Sequence, residues 1–163
     1  MRIIGIDPGT GIMGFGVIEK GKTTSLVDAG VIRTLPHQPL DERLVEIYES
    51  LQEIIAETKP SVMVIEKLFF ARNVTTAISV AHARGVAMLA GKQAGLEIVE
   101  YTPMQIKQSV TGYGGADKKQ VQEMVRIQLG LKVAPQPDDC ADALAAALMH
   151  ATMLAYNSST PTT

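Results

Sequence analysis

The sequence is poor in cysteine, in long apolar runs and in positive charge. Cys140 is the single cysteine, which excludes an intramolecular disulfide and predicts a reducing compartment, the cytoplasm. No apolar run is long enough to span a bilayer and no signal-peptide pattern opens the printed sequence, so we predict no membrane association. Cysteine and histidine are too scattered for a zinc site. The net charge of −2 differs from that of a strongly basic nucleic-acid-binding protein.

The apolar pattern predicts one α/β domain over residues 1–156 and a disordered tail over residues 157–163. Three hairpin-linked strands come first, over residues 2–7, 14–19 and 25–33. The later elements are a helix over 40–58, a strand over 62–65, a helix over 74–94, a strand over 96–101, and helices over 103–110, from 118 and over 139–155. This order predicts a mixed sheet covered by helices on both faces.

Four acidic residues stand where a carboxylate is unusual. Asp7 and Glu66 each end an apolar strand, where strand ends face the functional crevice of an α/β sheet. Asp139 and Asp142 are three residues apart and share one face of the last helix. Four mutually repelling carboxylates require a cation at neutral pH, and oxygen ligands suit Mg²⁺ or Mn²⁺. The pattern therefore predicts a metal site and, with it, phosphate chemistry.

Three of the four acids also have an ordinary structural explanation. Asp7 can be a turn residue before Pro-Gly, and Glu66 can be an ion-pair partner of a nearby cation. Asp139 complements the dipole of the last helix, and we interpret its neighbour Asp138 as the N-cap of that helix. If four carboxylates bind metal, the remaining residues carry a net charge of +2, which is compatible with a local phosphate-binding patch.

Four segments in combination carry a family resemblance. They are Gly5-Ile6-Asp7-Pro8-Gly9-Thr10, Ile65-Glu66 with Phe69, Ala83-Arg84-Gly85-Val86, and Asp139-Cys140-Ala141-Asp142-Ala143-Leu144-Ala145. With them the chain closely resembles the RuvC family of bacterial Holliday-junction resolvases, from residue 1 to about residue 155. The resemblance implies a ribonuclease H-like fold with a five-stranded mixed sheet. It also implies a crossover junction endodeoxyribonuclease of homologous recombination and DNA repair, which nicks two opposed strands of four-way junction DNA.

The resemblance also implies roles for individual residues. The family's metal-binding acids match Asp7, Glu66, Asp139 and Asp142, which would hold two Mg²⁺ ions per subunit, with Mn²⁺ as a substitute. Its catalytic lysines match Lys107 and Lys118, and its junction-contacting aromatic matches Phe69. The implied products are a 5′-phosphate and a 3′-hydroxyl. The implied partners are a second copy of the chain and the branch-migration proteins RuvA and RuvB.

Contacts with DNA beyond the acids are predicted from residue types. The adjacent rings of Phe69 and Phe70 follow Glu66 in a loop, where stacking on an unpaired base is worth about 1–3 kcal/mol. Which ring contacts DNA is open, because one of the two can pack inward. The other candidates are Arg72, Asn73, Arg84, Tyr113, Lys118 and Lys119. The lysines can equally be solvated surface residues. Tyr113 lies in the glycine-rich segment 111–115, which we predict to be flexible.

The helix over residues 74–94 is rich in small residues, which fits either a dimer interface or close packing on the sheet.

The residues are also compatible with three other functions. A ribonuclease H-like nuclease acting on RNA or other branched DNA would use the same acids. An actin-like ATPase would use residues 7–10 to hold phosphate, but it needs a second similar half, for which this chain looks too short. A noncatalytic DNA-binding scaffold would not require the full set of carboxylates.

Overall fold

The computed structural model describes residues 1–68 and 74–159. The strands are β1 (Arg2–Asp7), β2 (Ile12–Lys20), β3 (Thr24–Arg33), β4 (Val62–Glu66) and β5 (Glu97–Tyr101). The helices are α1 (Leu40–Thr58), α2 (Val74–Gln93), α3 (Pro103–Thr111), α4 (Lys118–Gln128) and α5 (Asp138–Ser159). Each predicted element is present. α5 is longer than the predicted helix over residues 139–155, since it runs from Asp138 to Ser159. A formed helix extends readily over residues of moderate propensity such as Asn and Ser.

The strands form one mixed sheet in the order β3-β2-β1-β4-β5. β1 pairs antiparallel with β2, and β2 pairs antiparallel with β3. β4 lies parallel to both β1 and β5. Ile6 of β1 is in register with Ile65 of β4, so the next residues, Asp7 and Glu66, end the two strands side by side. The topology confirms the predicted mixed sheet and places both strand-end acids at one edge.

Helices cover both faces of the sheet. Ile3, Val62 and Val64 pack with α3, α4 and α5 on one face. Ile4 and Ile6 pack with α1 and α2 on the other. Burial on both faces explains why β4 is a continuous apolar strand. No helix in the described ranges has both the length and the apolar character needed to cross a membrane.

The starts of α3 and α4 are held by reciprocal caps. The backbone N–H of Gln105 donates to Thr102 Oγ1 at 3.1 Å, and that of Gln120 donates to Asp117 Oδ1 at 2.9 Å. In both cases the glutamine side chain accepts a bond from the backbone of the cap residue. These caps determine where the helices bearing the two predicted catalytic lysines begin.

Candidate functional site

Three of the predicted acids converge on one pocket at the carboxyl ends of β1 and β4. The pocket has a volume of about 200 Å³ and contains charged residues from five elements: Asp7, Glu66, Asp142, Lys107 and Lys118. Asp139 is not among the residues that line it, although it lies in the first turn of α5. The structure thus places five of the six predicted catalytic residues around a single opening and the sixth beside it.

Glycines in the sheet allow α5 to bring its acids close to Asp7. A Cβ atom at Gly5 would lie 1.9 Å from the carbonyl oxygen of Ala143. A Cβ atom at Gly14, which pairs with Asp7, would lie 2.1 Å from the carbonyl oxygen of Asp139. Only a residue without a side chain permits such an approach of two backbones. Sequence reasoning missed this role, for which the signal was glycine inside two apolar strands.

The electrostatics of the pocket centre on Asp7. Burial raises the pKa of Asp7 from 3.8 to about 8. Lys118 opposes this rise, whereas three neighbouring carboxylates add to it: Asp142, Glu66 and Asp139. Burial also raises the pKa values of Glu66 and Asp142. The site therefore resists full ionisation at neutral pH, and a bound cation or proton relieves the repulsion.

The four acids have the oxygen ligands that suit a hard divalent cation, but their side chains are not grouped around a single ion position. All four acids offer carboxylate oxygens, the donors that Mg²⁺ and Mn²⁺ prefer. Among residues 1–68 and 74–159, no three Asp, Glu, His or Cys side chains are grouped as ligands of one ion. Repulsion from Asp142, Glu66 and Asp139 adds to the effect of burial on the pKa of Asp7. A divalent cation would replace that repulsion with attraction, so we regard the residues as fitting such an ion.

Lys118 is the cation that contacts the acids directly. Its Nζ donates to Asp138 Oδ2 at 2.6 Å and lies 3.9 Å from Asp142 Oδ2. This hydrogen bond lowers the pKa of Asp138 and raises the pKa of Lys118. Asp138 was predicted as an N-cap, and that prediction was wrong: it is the first residue of α5, and its carboxylate binds a lysine. The bond to Lys118 is charge-assisted, because both the donor and the acceptor are ionised.

The other predicted DNA contacts lie apart from the acids or outside the described residues. Tyr113 and Lys119, both exposed, line a separate hollow of about 410 Å³ beside the start of α4. Four candidates fall in the part of the chain that the structure does not describe: Phe69, Phe70, Arg72 and Asn73. The structure therefore brings Lys118 to the acid pocket and places Tyr113 and Lys119 at a separate hollow.

The glycine-rich segment 111–115, which we predict to be flexible, forms hydrogen bonds with α3. The side chain of Gln108 donates to the carbonyl oxygen of Gly112 at 2.8 Å and accepts from the backbone N–H of Gly114 at 2.9 Å. Gly112 has a φ of 78° and closes α3. A glutamine one turn upstream thus replaces the missing helical partners of the turn. Tyr113 is presented from a fixed turn.

Comparison with known proteins finds relatives along almost the whole chain. The family model described as "Crossover junction endodeoxyribonuclease RuvC" matches residues 3–150. Proteins of that description from Desulfitobacterium hafniense (strain DSM 10664 / DCB-2) and Chloroflexus aggregans are 55% and 53% identical to this chain over 152 residues. Each alignment covers 93% of this chain, with 92% and 93% of the two relatives.

A solved structure agrees over the same length. The structure of Thermus thermophilus RuvC in complex with a Holliday junction substrate is 38% identical in sequence and superimposes with a TM-score of 0.90. The superposition covers 99% of this chain and 99% of that one. This likeness confirms the predicted ribonuclease H-like fold.

Proposed function

Because the chain belongs to the RuvC family of crossover junction endodeoxyribonucleases, we propose that it resolves Holliday junctions by cutting two opposed strands of four-way junction DNA. The observation that carries this proposal is the pocket in which Asp7, Glu66 and Asp142 face two lysines. Family membership favours junction DNA over RNA, although the acids alone serve either substrate. Its place of action would be the cytoplasm, and its partners in branch migration would be RuvA and RuvB.

We assign the four carboxylates to two Mg²⁺ ions per subunit, with Mn²⁺ as a substitute: Asp7, Glu66, Asp139 and Asp142. Such ions, when bound, supply an activated water and stabilise the leaving 3′-oxygen, which leaves 5′-phosphate and 3′-hydroxyl ends. The chain's own part is positioning. β1 and β4 hold Asp7 and Glu66 side by side, and α5 brings its acids against them. Lys107 and Lys118 place positive charge where a scissile phosphate would lie.

The remaining contacts with DNA follow the same assignment. The rings of Phe69 and Phe70 would stack on bases at the junction centre, and the other contacts would come from Arg72, Asn73, Tyr113, Lys118 and Lys119. The separation of Tyr113 and Lys119 from the acid pocket supports contact with the DNA backbone away from the cleaved bond.

The cleavage assay compares a synthetic mobile four-way junction with a linear duplex and an RNA–DNA hybrid of the same sequence. With Mg²⁺ present, we expect paired, symmetric nicks in the junction and little cutting of the other two substrates, because a symmetric enzyme matches two equivalent strands. EDTA should stop cleavage. Equal cutting of all three substrates would contradict the junction assignment.

We also propose that the active form is a homodimer joined through α2. Ile78 and Leu89 are 51% and 52% exposed and lie on one face of α2, with His82 and Gly85 exposed between them. A Cβ atom at Gly85 would meet nothing within 4 Å, so this face is open to a second backbone. The four residues follow a 4-3-4 spacing, which is that of a helical contact stripe. We call this set the α2 stripe.

Small residues on the opposite side of α2 pack on the sheet. Ala83, Ala87 and Ala90 are fully buried there against the strands. The two interpretations of the small residues thus apply to different faces: the buried alanines pack inside the subunit, and the α2 stripe is left for a partner copy.

Replacing Ile78 with glutamate should convert the dimer to monomer and lower junction cleavage by about tenfold or more, because a charge would enter an apolar contact. Sedimentation measures the first effect and single-turnover cleavage the second. Ile127→Glu is the matched control, since Ile127 on α4 is 53% exposed and Ile78 is 51% exposed. An Ile78→Glu protein that dimerises like the control would remove α2 from the interface.

A further inference from the structure

We propose that α2 positions the two strand-end acids through Arg84 and Ser79. Both are positioning residues: Arg84 holds the backbone at Glu66, and Ser79 holds the turn that follows Asp7. This inference rests on the proposed function, since it concerns the geometry of the proposed metal site. It adds a second task to the helix that carries the α2 stripe, so that one helix links the partner subunit to the acids.

Arg84 makes two contacts at the end of β4. Its Nε donates to the backbone carbonyl oxygen of Glu66 at 3.3 Å, and its guanidinium forms an ion pair with Glu100 on β5. The Arg84 side chain is 20% exposed, so these contacts are partly shielded from water. A guanidinium serves two acceptors at once because its donors are set in a rigid planar fork, and lysine lacks that geometry.

Arg84 shares a second hollow with the two strand-end acids. Asp7, Glu66, Lys67 and Arg84 line this hollow of about 190 Å³, which contains neither Lys107 nor Lys118. The Arg84 side chain already contacts the backbone of Glu66 and the carboxylate of Glu100 on the neighbouring strand. These contacts favour a role in placing Glu66 over a direct contact with a phosphate.

Ser79 acts one turn and a half earlier on the same helix. Its hydroxyl shares a 2.6 Å hydrogen bond with the hydroxyl of Thr10, in the turn after Asp7. Thr34 donates to the carbonyl oxygen of Thr10 and accepts from Arg43 Nε at 2.8 Å. Thr10 and Thr34 are 9% and 7% exposed, and buried polar groups of this kind are costly to leave unpaired. The network therefore ties the Asp7 turn to α2.

Together the two contacts make the acid pair dependent on the position of α2. Arg84 and Ser79 reach the backbone beside two adjacent strand ends, while Ala83 and Ala87 pack the same helix on the sheet. A small displacement of α2 would therefore move Glu66 and the Asp7 turn at the same time. Outer contacts that orient metal ligands typically contribute 10-fold to 100-fold in metal affinity or activity.

The test measures Mn²⁺ binding by calorimetry on the DNA-free dimer, junction binding in EDTA, and single-turnover cleavage. We expect Arg84→Lys to weaken Mn²⁺ binding and cleavage by about tenfold and to leave junction affinity and its salt dependence unchanged. Ser79→Ala should have a smaller effect of the same kind. Lys92→Arg is the matched control, because it exchanges lysine and arginine at an exposed site on the same helix.

Glu100→Gln separates positioning from a direct DNA contact. Loss of this acid frees the guanidinium of Arg84 without removing a cation, so weaker Mn²⁺ binding with unchanged or tighter junction binding supports the proposal. Wild-type Mn²⁺ affinity in both Arg84→Lys and Glu100→Gln would overturn it. So would an Arg84→Lys protein whose main loss is junction affinity with a reduced salt dependence, since that identifies a phosphate contact. If the wild type binds Mn²⁺ but cuts no junction, the proposed function fails and the calorimetry still decides the roles of these residues.

Discussion

Replacing Asp7 with asparagine should reduce metal-dependent junction cleavage by more than about 100-fold and also raise the stability of the metal-free protein at pH 8.5. The amide has the shape of the carboxylate but cannot ionise. It therefore offers a weaker ligand to a divalent cation and removes one negative charge from a crowded pocket. Junction binding should persist, because the substitution leaves the lysines in place.

The pH dependence of that stabilisation follows from the pKa of Asp7, which is 3.8 in the unfolded chain and about 8 in the folded protein. Between these pH values the folded state keeps a proton on Asp7 that the unfolded state has lost, so the free energy of unfolding falls as the pH rises. This loss of stability is complete above pH 8. Asp7→Asn removes this loss of stability, because the amide does not ionise. We expect its unfolding midpoint in EDTA to exceed that of the wild type by about 5 °C at pH 8.5 and to differ little at pH 4.

Calorimetry in EDTA at several pH values checks the stability, and a labelled four-way junction checks the cleavage. Asp28→Asn is the control, since Asp28 is an exposed acid on β3 that does not line the pocket, and this variant should retain wild-type behaviour. Mg²⁺ should stabilise the wild type more at pH 8.5 than at pH 6, and Asp7→Asn much less at either pH. An Asp7→Asn protein that cuts at more than a tenth of the wild-type rate would remove Asp7 from the metal site.

Replacing Gly5 with alanine should destabilise the fold by about 3 kcal/mol or more. The added methyl group would lie 1.9 Å from the carbonyl oxygen of Ala143 and 2.9 Å from the backbone nitrogen of Ala147. Both contacts are with helix backbone, so relief requires α5 to move away from β1. The same movement would carry Asp142 away from Asp7, and metal-dependent cleavage should fall together with stability.

Urea unfolding of Gly5→Ala measures the loss. Gly21→Ala is the control, because a methyl group there meets no atom closer than the carbonyl oxygen of Thr23 at 3.5 Å, an ordinary contact. The control should stay within about 0.5 kcal/mol of the wild type. If Gly5→Ala does the same, close packing of α5 on the sheet does not hold the site together.

Local patterns account for the part of the fold that could be predicted from the sequence. The apolar runs before Asp7 and Glu66 predicted β1 and β4, because a strand buried on both faces shows itself within five or six residues. The spacing of Asp139 and Asp142 predicted that they share one helix face, because residues three apart are neighbours on a helix surface. The cap at Thr102 was also predictable, since its partners lie three residues apart.

Contacts between distant segments account for what was missed. The predicted role of Asp138 was wrong because its partner, Lys118, lies 20 residues earlier on another helix. Segment 111–115 is hydrogen-bonded by the side chain of Gln108, and the glycine content of the segment does not predict these bonds. Glycines at positions 5 and 14 matter only because α5 approaches them.

The sequence by itself determined which residues end strands, which share a helix face and which family the chain resembles, because these properties depend on neighbours along the chain. Only the tertiary structure decided how near the acids come to one another, how far burial raises the pKa of Asp7, and which side chains of α2 hold the ends of β1 and β4. Those quantities depend on distances between residues that are far apart in sequence, and packing alone sets such distances.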